Sequence, residues 1–281
     1  MTGRIDLHLH TLCSDGRLSP SELVRELASN GVTVAAITDH DTVDGWSEGH
    51  RAAEEMGIRL ICGTELSVAH EGQDLHVLAY FVDPEDAEFR DVLEGMKRDR
   101  IRRMEEMVGR LVQLGIPARM EPVMERAGRG SVGRVHLAQE LVERGWVRTY
   151  GDAFQHYLGD GAPACRPKTT LPLASSLAAI RAAGGVAVLA HPGIYDLDGL
   201  LEVMVPLGLE GLEVYHPSHS TEQVKAFEEL ADQWGLVKTG GSDYHGAREQ
   251  ELPPGSIDLG QEIVDELEAR RPSARTRGDF A

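Results

Sequence analysis

Short apolar segments alternate with longer helical patterns along most of the chain, and this alternation limits the folds that are open to it. Ser19 and Glu22 have capping-box spacing before an apolar stretch, which predicts a helix start. Alternating strands and helices favour a mostly parallel sheet, arranged as a barrel or doubly wound. Seven strands are predicted, at residues 4–10, 33–38, 59–63, 75–82, 185–190, 211–215 and 236–240.

Two features interrupt this alternation. Only residues 70–74, which include Glu71 and Gly72, separate the third and fourth strands, so a hairpin is expected there. Between residues 84 and 167 no strand pattern occurs, and helices are predicted at 89–114, 122–127, 132–144 and 152–158. We therefore expect a discontinuous main domain, 1–97 with 168–281, and a mostly helical insertion of residues 98–167.

Composition excludes several classes of function. The chain has 281 residues, with 28 Lys+Arg against 46 Asp+Glu, for a formal net charge of −18. This balance argues against binding duplex DNA, which needs clustered cations, and 5% aromatic residues argue against a stacking surface for single strands. The long predicted helix does carry a basic patch, which is either a solvated face or an anion-binding surface. The patch consists of Lys97, Arg98, Arg100, Arg102 and Arg103.

The expected location is the cytoplasm. The N-terminal residues lack the features of a signal peptide, and no apolar run is long enough to cross a bilayer. The odd number of cysteines, Cys13, Cys62 and Cys165, predicts free thiols in a reducing compartment.

Histidines and carboxylates occur repeatedly at the ends of the predicted strands. His8 and His10 end the first strand, and the period of two residues places both imidazoles on one face. Carboxyl ends of parallel strands share one rim, so ligand-type residues placed there should converge. Each histidine alone is more simply a core or loop residue, but their common placement favours a metal site. The candidate metal ligands are His8, His10, Asp15, His40, Glu65, His76, His191, Asp243 and His245.

The motifs around these residues resemble those of the PHP superfamily of metal-dependent phosphoesterases. They are DLHLHT (6–11), SDG (14–16), TDHD (38–41), GTE (63–65), HVL (76–78), AHP (190–192) and GSDYHG (241–246). The resemblance implies a distorted (β/α)7 barrel that holds roughly two or three divalent ions. Manganese is favoured by the resemblance, with iron, zinc and magnesium as alternatives.

The resemblance also implies how the ligands are shared among the ions. The implied sets are His8, His10, Glu65 and Asp243 for the first ion, Glu65, His76 and His191 for the second, and Asp15, His40 and His245 for the third. Asp15 stands where histidinol-phosphate phosphatases have a histidine, which weakens the case for that substrate.

The insertion resembles that of bacterial PHP enzymes that remove the 3′-phosphate of nucleoside 3′,5′-bisphosphates, some of which degrade short RNA from the 5′ end. Residues 131–145 and 154–158 carry this similarity, and it makes Arg134 and His136 candidate contacts to substrate phosphate. Packing on a helix surface is the alternative role for both. The insertion is therefore expected to form part of a site for a nucleotide or short RNA, with no duplex DNA or membrane as partner.

Three functions remain open at this point. The first is a nucleotide phosphoesterase with 5′→3′ exoribonuclease activity as an additional capacity. The second is a phosphatase of another small phosphomonoester, such as histidinol phosphate or a sugar phosphate, and the third is a non-enzymatic, metal-stabilised module.

If the protein is an enzyme, Glu65 and Asp243 are the candidate catalytic residues, which act as metal ligands. His219 is preferred over His216 as proton donor, because Pro217 constrains the loop beside His216.

Overall fold

The computed structural model describes residues 3–128, 130–168, 170–246 and 251–272. Within these residues, strands and helices alternate as the sequence predicted. The strands are β1 (Arg4–Asp6), β2 (Val32–Ile37), β3 (Arg59–His70), β4 (Gln73–Tyr80), β5 (Leu171–Pro172), β6 (Val186–Leu189), β7 (Leu209–Tyr215) and β8 (Val237–Gly240). The α-helices are α1 (Pro20–Ser29), α2 (Trp46–Met56), α3 (Ala87–Gln113), α4 (Met120–Ala127), α5 (Arg134–Glu143), α6 (Tyr150–Ala153), α7 (Leu173–Ala182), α8 (Leu200–Met204), α9 (Thr221–Trp234) and α10 (Gln261–Ala269).

One sheet holds all of the strands, in the order β1-β2-β3-β4-β6-β7-β8, with β5 paired to β3. Its pairs are parallel except β3–β4 and β4–β6, which are antiparallel. The predicted hairpin is therefore confirmed, and its turn contains Glu71 and Gly72, both with positive φ. Because β4 runs against its neighbours, a residue near its start lies at the carboxyl end of the parallel strands.

The two ends of the strand order lie next to each other. Leu9, just after β1, forms an isolated parallel bridge with Tyr244, just after β8, and the His10 N–H donates to the Tyr244 carbonyl. This contact brings the edges of the sheet together, as a barrel requires. The seven predicted strands form the continuous path of this α/β fold. The eighth, β5, was missed because two residues that include a proline give no periodic pattern.

The first and third strands differ from their predicted bounds. β1 ends at Asp6 rather than at His10, because the following backbone pairs with the loops after β2 and β8. β3 continues to His70 rather than ending at Gly63, since its second half pairs with β4.

Helix α1 begins at the predicted capping box. The Glu22 backbone N–H donates to the Ser19 hydroxyl at 3.3 Å, and the Ser19 N–H donates to the Glu22 carboxylate at 2.8 Å. Pro20 occupies the first turn, where a missing N–H costs nothing. The buried face of the helix, Leu23, Val24 and Leu27, packs against the sheet beside β2.

The hydrophobic core has separate clusters in the sheet and in the helical segment. Ile5, Val34, Val188 and Val237 belong to a cluster that lines one face of the sheet. A second cluster, which includes Met104, Leu111, Leu137 and Leu158 among its members, is built by residues 104–164. Helix α3 belongs to both regions and passes the expected domain boundary at residues 97 and 98 without a break. In the described parts of the chain, none of the helices combines the length and apolarity that crossing a bilayer demands.

Candidate metal centre

The nine predicted ligands come together at the carboxyl end of the parallel strands. His8, His10 and Asp15 follow β1, and His40 follows β2. His76, the fourth residue of β4, reaches the same rim because that strand runs in the opposite direction. The remaining members are Glu65 in β3, His191 after β6, and Asp243 and His245 after β8.

Glu65 occupies the centre of this cluster and is 1% exposed. Its Oε1 lies 2.8 Å from His76 Nδ1 and 3.0 Å from His191 Nε2. Its Oε2 lies 3.1 Å from His40 Nδ1, 3.3 Å from His8 Nε2 and 3.4 Å from His10 Nε2. One carboxylate therefore faces donor nitrogens from four different segments of the chain, which suits a bridging ligand.

The donor atoms form several groups that could each hold an ion. In every group, one donor atom per residue lies within 4.8 Å of the others. The third set that the resemblance implied, Asp15, His40 and His245, is not found as one group. Asp15 and His245 lie with His10, whereas His40 lies with His10 and Glu65. The groups are His8–His10–Asp243, His10–Asp15–His245, His10–His40–Glu65, Glu65–His76–His191 and His8–Glu213–His216.

Two buried nitrogens indicate that the cluster fits metal ions. His10 Nε2 and His40 Nδ1 have no hydrogen-bond partner among the described residues. Each faces a carboxylate oxygen at 3.1 Å without hydrogen-bond geometry, Asp243 Oδ1 for His10 and Glu65 Oε2 for His40. Buried polar atoms without partners are costly, and a shared cation would satisfy both the nitrogens and the carboxylates.

The charges of the cluster favour cations as well. Burial opposes ionisation of Glu65, but the surrounding imidazoles, His40 foremost, hold its pKa well below the usual range. Asp243 behaves in the same way beside His8. Burial lowers the pKa of His40 to about 3. Burial acts in the same direction on His10, but Asp243 and the neighbouring carboxylates raise the pKa of His10 to about 9. The site thus presents ionised carboxylates beside imidazoles, and divalent ions bound there would take the place of the protons that these carboxylates favour on His8 and His10.

Glu213, which sequence analysis missed, anchors two of the candidate ligands. His8 Nδ1 donates to Glu213 Oε1 at 2.8 Å, and the His191 backbone N–H donates to Glu213 Oε2 at 2.7 Å. His191 has a φ of 29°, an uncommon conformation for a residue with a side chain. The carboxylate orients His8 Nε2 toward Glu65 and secures this strained backbone. The signal was an acidic residue in the otherwise apolar middle of β7.

Two further aspartates stabilise the loops of the site. Asp39 accepts hydrogen bonds from the Thr11 backbone and hydroxyl and from the Ser14 hydroxyl, at 2.6–2.7 Å. Asp41 accepts from the Ser67 N–H at 2.6 Å and also bonds to Arg100. Burial opposes ionisation of Asp41, but Arg100 lowers its pKa to about 2.

The two predicted phosphate contacts lie on the first turn of α5. Arg134 donates to the exposed Asp160 carboxylate at 2.8 Å, and its guanidinium lies 5.8 Å from the centre of the Phe154 ring. His136 Nδ1 accepts the Gly133 N–H at 3.0 Å. Burial lowers the pKa of His136, and the negative charge of Asp15 opposes that shift. The Ser131 N–H, just before α5, donates to the Cys13 carbonyl at 2.9 Å, so the start of this helix lies against the loop that leads to Asp15.

A lysine lies directly beside the cluster, and two arginines of α3 lie in the same part of the molecule. Lys168 Nζ lies 3.1 Å from His76 Nε2, and burial lowers the pKa of this lysine. Burial also lowers the pKa of Arg103, with contributions from Arg134 and Arg100. Within the basic patch of α3, Arg100 bonds to Asp41 and Arg103 bonds to the Arg166 carbonyl, whereas Lys97 pairs with Asp44. Lys168 was not predicted as a site residue, because it lies in a segment without a recognisable sequence pattern.

Comparison with known proteins identifies the family. Residues 6–112 match the PHP domain. A 5′-3′ exoribonuclease of Haemophilus influenzae is 35% identical over 274 residues, which cover 95% of this chain and 97% of that protein. The chain belongs to the PHP family. A 3′,5′-nucleoside bisphosphate phosphatase of Chromobacterium violaceum is 33% identical, over 95% of this chain and 97% of its own length.

Solved structures agree with this assignment. A protein from Bifidobacterium adolescentis, assigned as a metal-dependent phosphoesterase, superimposes with a TM-score of 0.87 at 32% identity and covers 98% of both chains. An amidohydrolase of Chromobacterium violaceum, solved with sulfate and no metal, gives a TM-score of 0.84 at 32% identity, over 96% of this chain and 99% of that one. This PHP chain is therefore a metal-dependent phosphoric ester hydrolase, and its His/Asp/Glu groups suit divalent ions.

The two histidines considered as proton donor in this PHP enzyme have different surroundings. His219 Nδ1 bonds to the Val214 carbonyl at 2.9 Å, and its Nε2 accepts the Gly193 N–H at 3.2 Å. Both of its nitrogens are thus engaged by backbone. His216 Nε2 instead lies 3.5 Å from Asp243 Oδ2. His219 as proton donor stays a prediction; the two rings differ in that a backbone N–H occupies Nε2 of His219 but not Nε2 of His216.

Proposed function

We propose that this PHP enzyme hydrolyses the 3′-phosphate of nucleoside 3′,5′-bisphosphates and releases inorganic phosphate. The observation that carries the proposal is the contact between the chain just before α5, the helix that carries Arg134 and His136, and the loop that leads to Asp15: the Ser131 N–H donates to the Cys13 carbonyl at 2.9 Å. A second phosphate can be held there while the first one reacts. The relative named as a 3′,5′-nucleoside bisphosphate phosphatase, 33% identical over 95% of the chain, supports the same substrate class.

The proposed cofactor is two or three divalent ions, with manganese favoured. We assign the first ion to His8, His10, Glu65 and Asp243, the second to Glu65, His76 and His191, and the third to Asp15, His40 and His245; the groups of neighbouring donor atoms support the first two sets best. Such ions supply an activated water and neutralise the charge of the phosphoryl group. Elemental analysis of protein purified from manganese-supplemented cells measures both the identity and the number of the ions.

The chain's own cations would position the substrate. Lys168, beside His76, is placed to contact the phosphoryl group that reacts. Arg134, with Arg103 nearby, would hold the 5′-phosphate, since a guanidinium binds phosphate through two parallel hydrogen bonds. Residues 98–167 would thereby form the wall of the site that distinguishes a bisphosphate from a simple phosphomonoester.

The kinetic test compares two substrates that differ only in the remote phosphate. Adenosine 3′,5′-bisphosphate should exceed 3′-AMP in kcat/KM by at least about tenfold, because a charge-assisted contact is worth about 1.5–3 kcal/mol. Phosphate release is the measurement, and 5′-AMP is the expected product. Equal kcat/KM values for the two compounds would contradict the proposal and favour a general phosphatase of small monoesters.

Replacing Arg134 with alanine should raise KM for the bisphosphate about ten- to a hundredfold, with a smaller effect on 3′-AMP, because the lost contact lies on the remote phosphate. Metal content should stay unchanged. Arg148→Ala is the matched control, since Arg148 lies in the same helical segment and its side chain is 92% exposed. Unchanged KM values in the Arg134 variant would assign that residue a structural role through Asp160.

A second activity, 5′→3′ exoribonuclease action on short RNA, is favoured by the 35% identity to the relative that carries this name. The same contact between Arg134 and a 5′-phosphate would bind both the bisphosphate and the 5′ end of an RNA. A 5′-phosphorylated RNA tetramer should then be shortened from its 5′ end, and its 5′-hydroxyl counterpart should resist. Equal degradation of the two RNAs would contradict a shared phosphate subsite.

A further inference from the structure

His216 lies at the rim of the metal-ligand cluster and has one ring nitrogen engaged by its own loop and one that is not engaged. It follows β7, and 8% of its side chain is exposed. Its ring centre lies 6.1 Å from that of His8 and 5.6 Å from that of His191. Among the described residues, its buried Nε2 has no hydrogen-bond partner. This nitrogen therefore faces the metal-ligand cluster with its hydrogen-bonding capacity unused.

The loop that carries His216 determines which nitrogen holds the proton. The Ser218 backbone N–H donates to His216 Nδ1 at 3.2 Å, and the Ser218 hydroxyl lies 2.8 Å from the same atom. A nitrogen that accepts an N–H cannot carry a proton of its own, so the neutral ring is protonated at Nε2. Pro217, which seemed to disfavour His216, lies within the turn that sets this tautomer.

This tautomer argues against a ligand role for His216, although it lies close to His8 and Glu213. Ligation through Nε2 would need the lone pair there and would place a proton on Nδ1, against the Ser218 N–H. The two oxygens of Glu213 already accept from His8 and His191. In the His8–Glu213–His216 group, His216 therefore presents an N–H donor rather than a lone pair.

We propose that His216 is a catalytic residue that donates a hydrogen bond from Nε2 to an oxygen of the reacting phosphate ester. The assignment rests on the proposed phosphoesterase site. Asp243 Oδ2, at 3.5 Å, is too distant for a strong bond, whereas a bound phosphate brings several anionic acceptors into the same space. His219 remains a support of the loop after β6 through Gly193.

The tautomer is measured directly by long-range 1H–15N NMR on zinc-loaded, 15N-histidine-labelled protein. His216 is assigned by the signal that disappears in His216→Gln. A neutral ring with its proton on Nε2 is expected. A proton on Nδ1, together with a metal-shifted Nε2, would overturn the proposal and make His216 a ligand.

Kinetics separate donation from ligation and from packing. His216→Leu should lower kcat about ten- to a hundredfold at unchanged metal content, because one charge-assisted donor is lost. His216→Gln, whose amide N–H reaches a similar position, should recover most of the rate. Loss of metal in step with activity, or full activity in the leucine variant, would overturn the proposal.

Failure of this inference is distinguishable from failure of the proposed function. Wild-type protein that turns over p-nitrophenyl phosphate but no bisphosphate would refute the nucleotide substrate. The same two variants, measured with p-nitrophenyl phosphate, would still test the donor role. The NMR result does not depend on activity.

Discussion

Glu65→Ala is expected to lose more metal than any other single substitution in this PHP enzyme and to lower kcat/KM about a thousandfold or more. Glu65 belongs to two of the donor-atom groups. Its Oε1 lies within 3.0 Å of nitrogens from β4 and the loop after β6, and its Oε2 lies 3.1 Å from His40 Nδ1. Its removal leaves buried imidazoles without a shared counter-charge. Elemental analysis and phosphate release on the same sample measure the two losses together.

The matched control for this substitution is Glu222→Ala. Glu222 is exposed in the first turn of α9, so its removal should leave metal content and activity unchanged. Wild-type protein treated with a chelator should lose activity and regain it when metal is returned, whereas the Glu65 variant should not regain it. A Glu65 variant with full metal content would contradict the bridging assignment.

Glu213→Leu is expected to weaken metal binding about ten- to a hundredfold, as substitutions of residues that orient metal ligands do. It should also lower the free energy of unfolding of the metal-depleted protein by about 2–5 kcal/mol, because His8 Nδ1 and the His191 N–H lose their acceptors in a fully buried place. Competition with a fluorescent chelator measures affinity, and urea denaturation measures stability.

Two further variants show whether this effect is specific. Glu213→Gln keeps one acceptor oxygen and should give an intermediate loss. Glu210→Gln, in the same strand but partly exposed and paired with Arg270 at 3.1 Å, should leave metal affinity unchanged. Normal metal affinity in Glu213→Leu would contradict an orienting role, even if the protein were less stable.

The alternation of elements and the set of candidate ligands could be predicted because both are local properties of the chain. His8 and His10 share a face through the two-residue period, and Ser19 with Glu22 marks a helix start through short-range hydrogen bonds. The seven main strands were found because each is a compact apolar run bounded by turns. The two-residue strand β5 was not, since it exists only through its pairing with β3.

The sequence alone determined that ligand-type residues gather at one rim of an α/β fold. Which residues support them was decided by contacts between segments far apart in the chain. Glu213 meets His8 across 205 residues, and Lys168 meets His76 across 92. The choice between His216 and His219 depended on which ring nitrogens the loop backbone occupies. Period and spacing specify the face of a strand, but a hydrogen bond also depends on rotamer and loop conformation, which only packing of the whole chain selects.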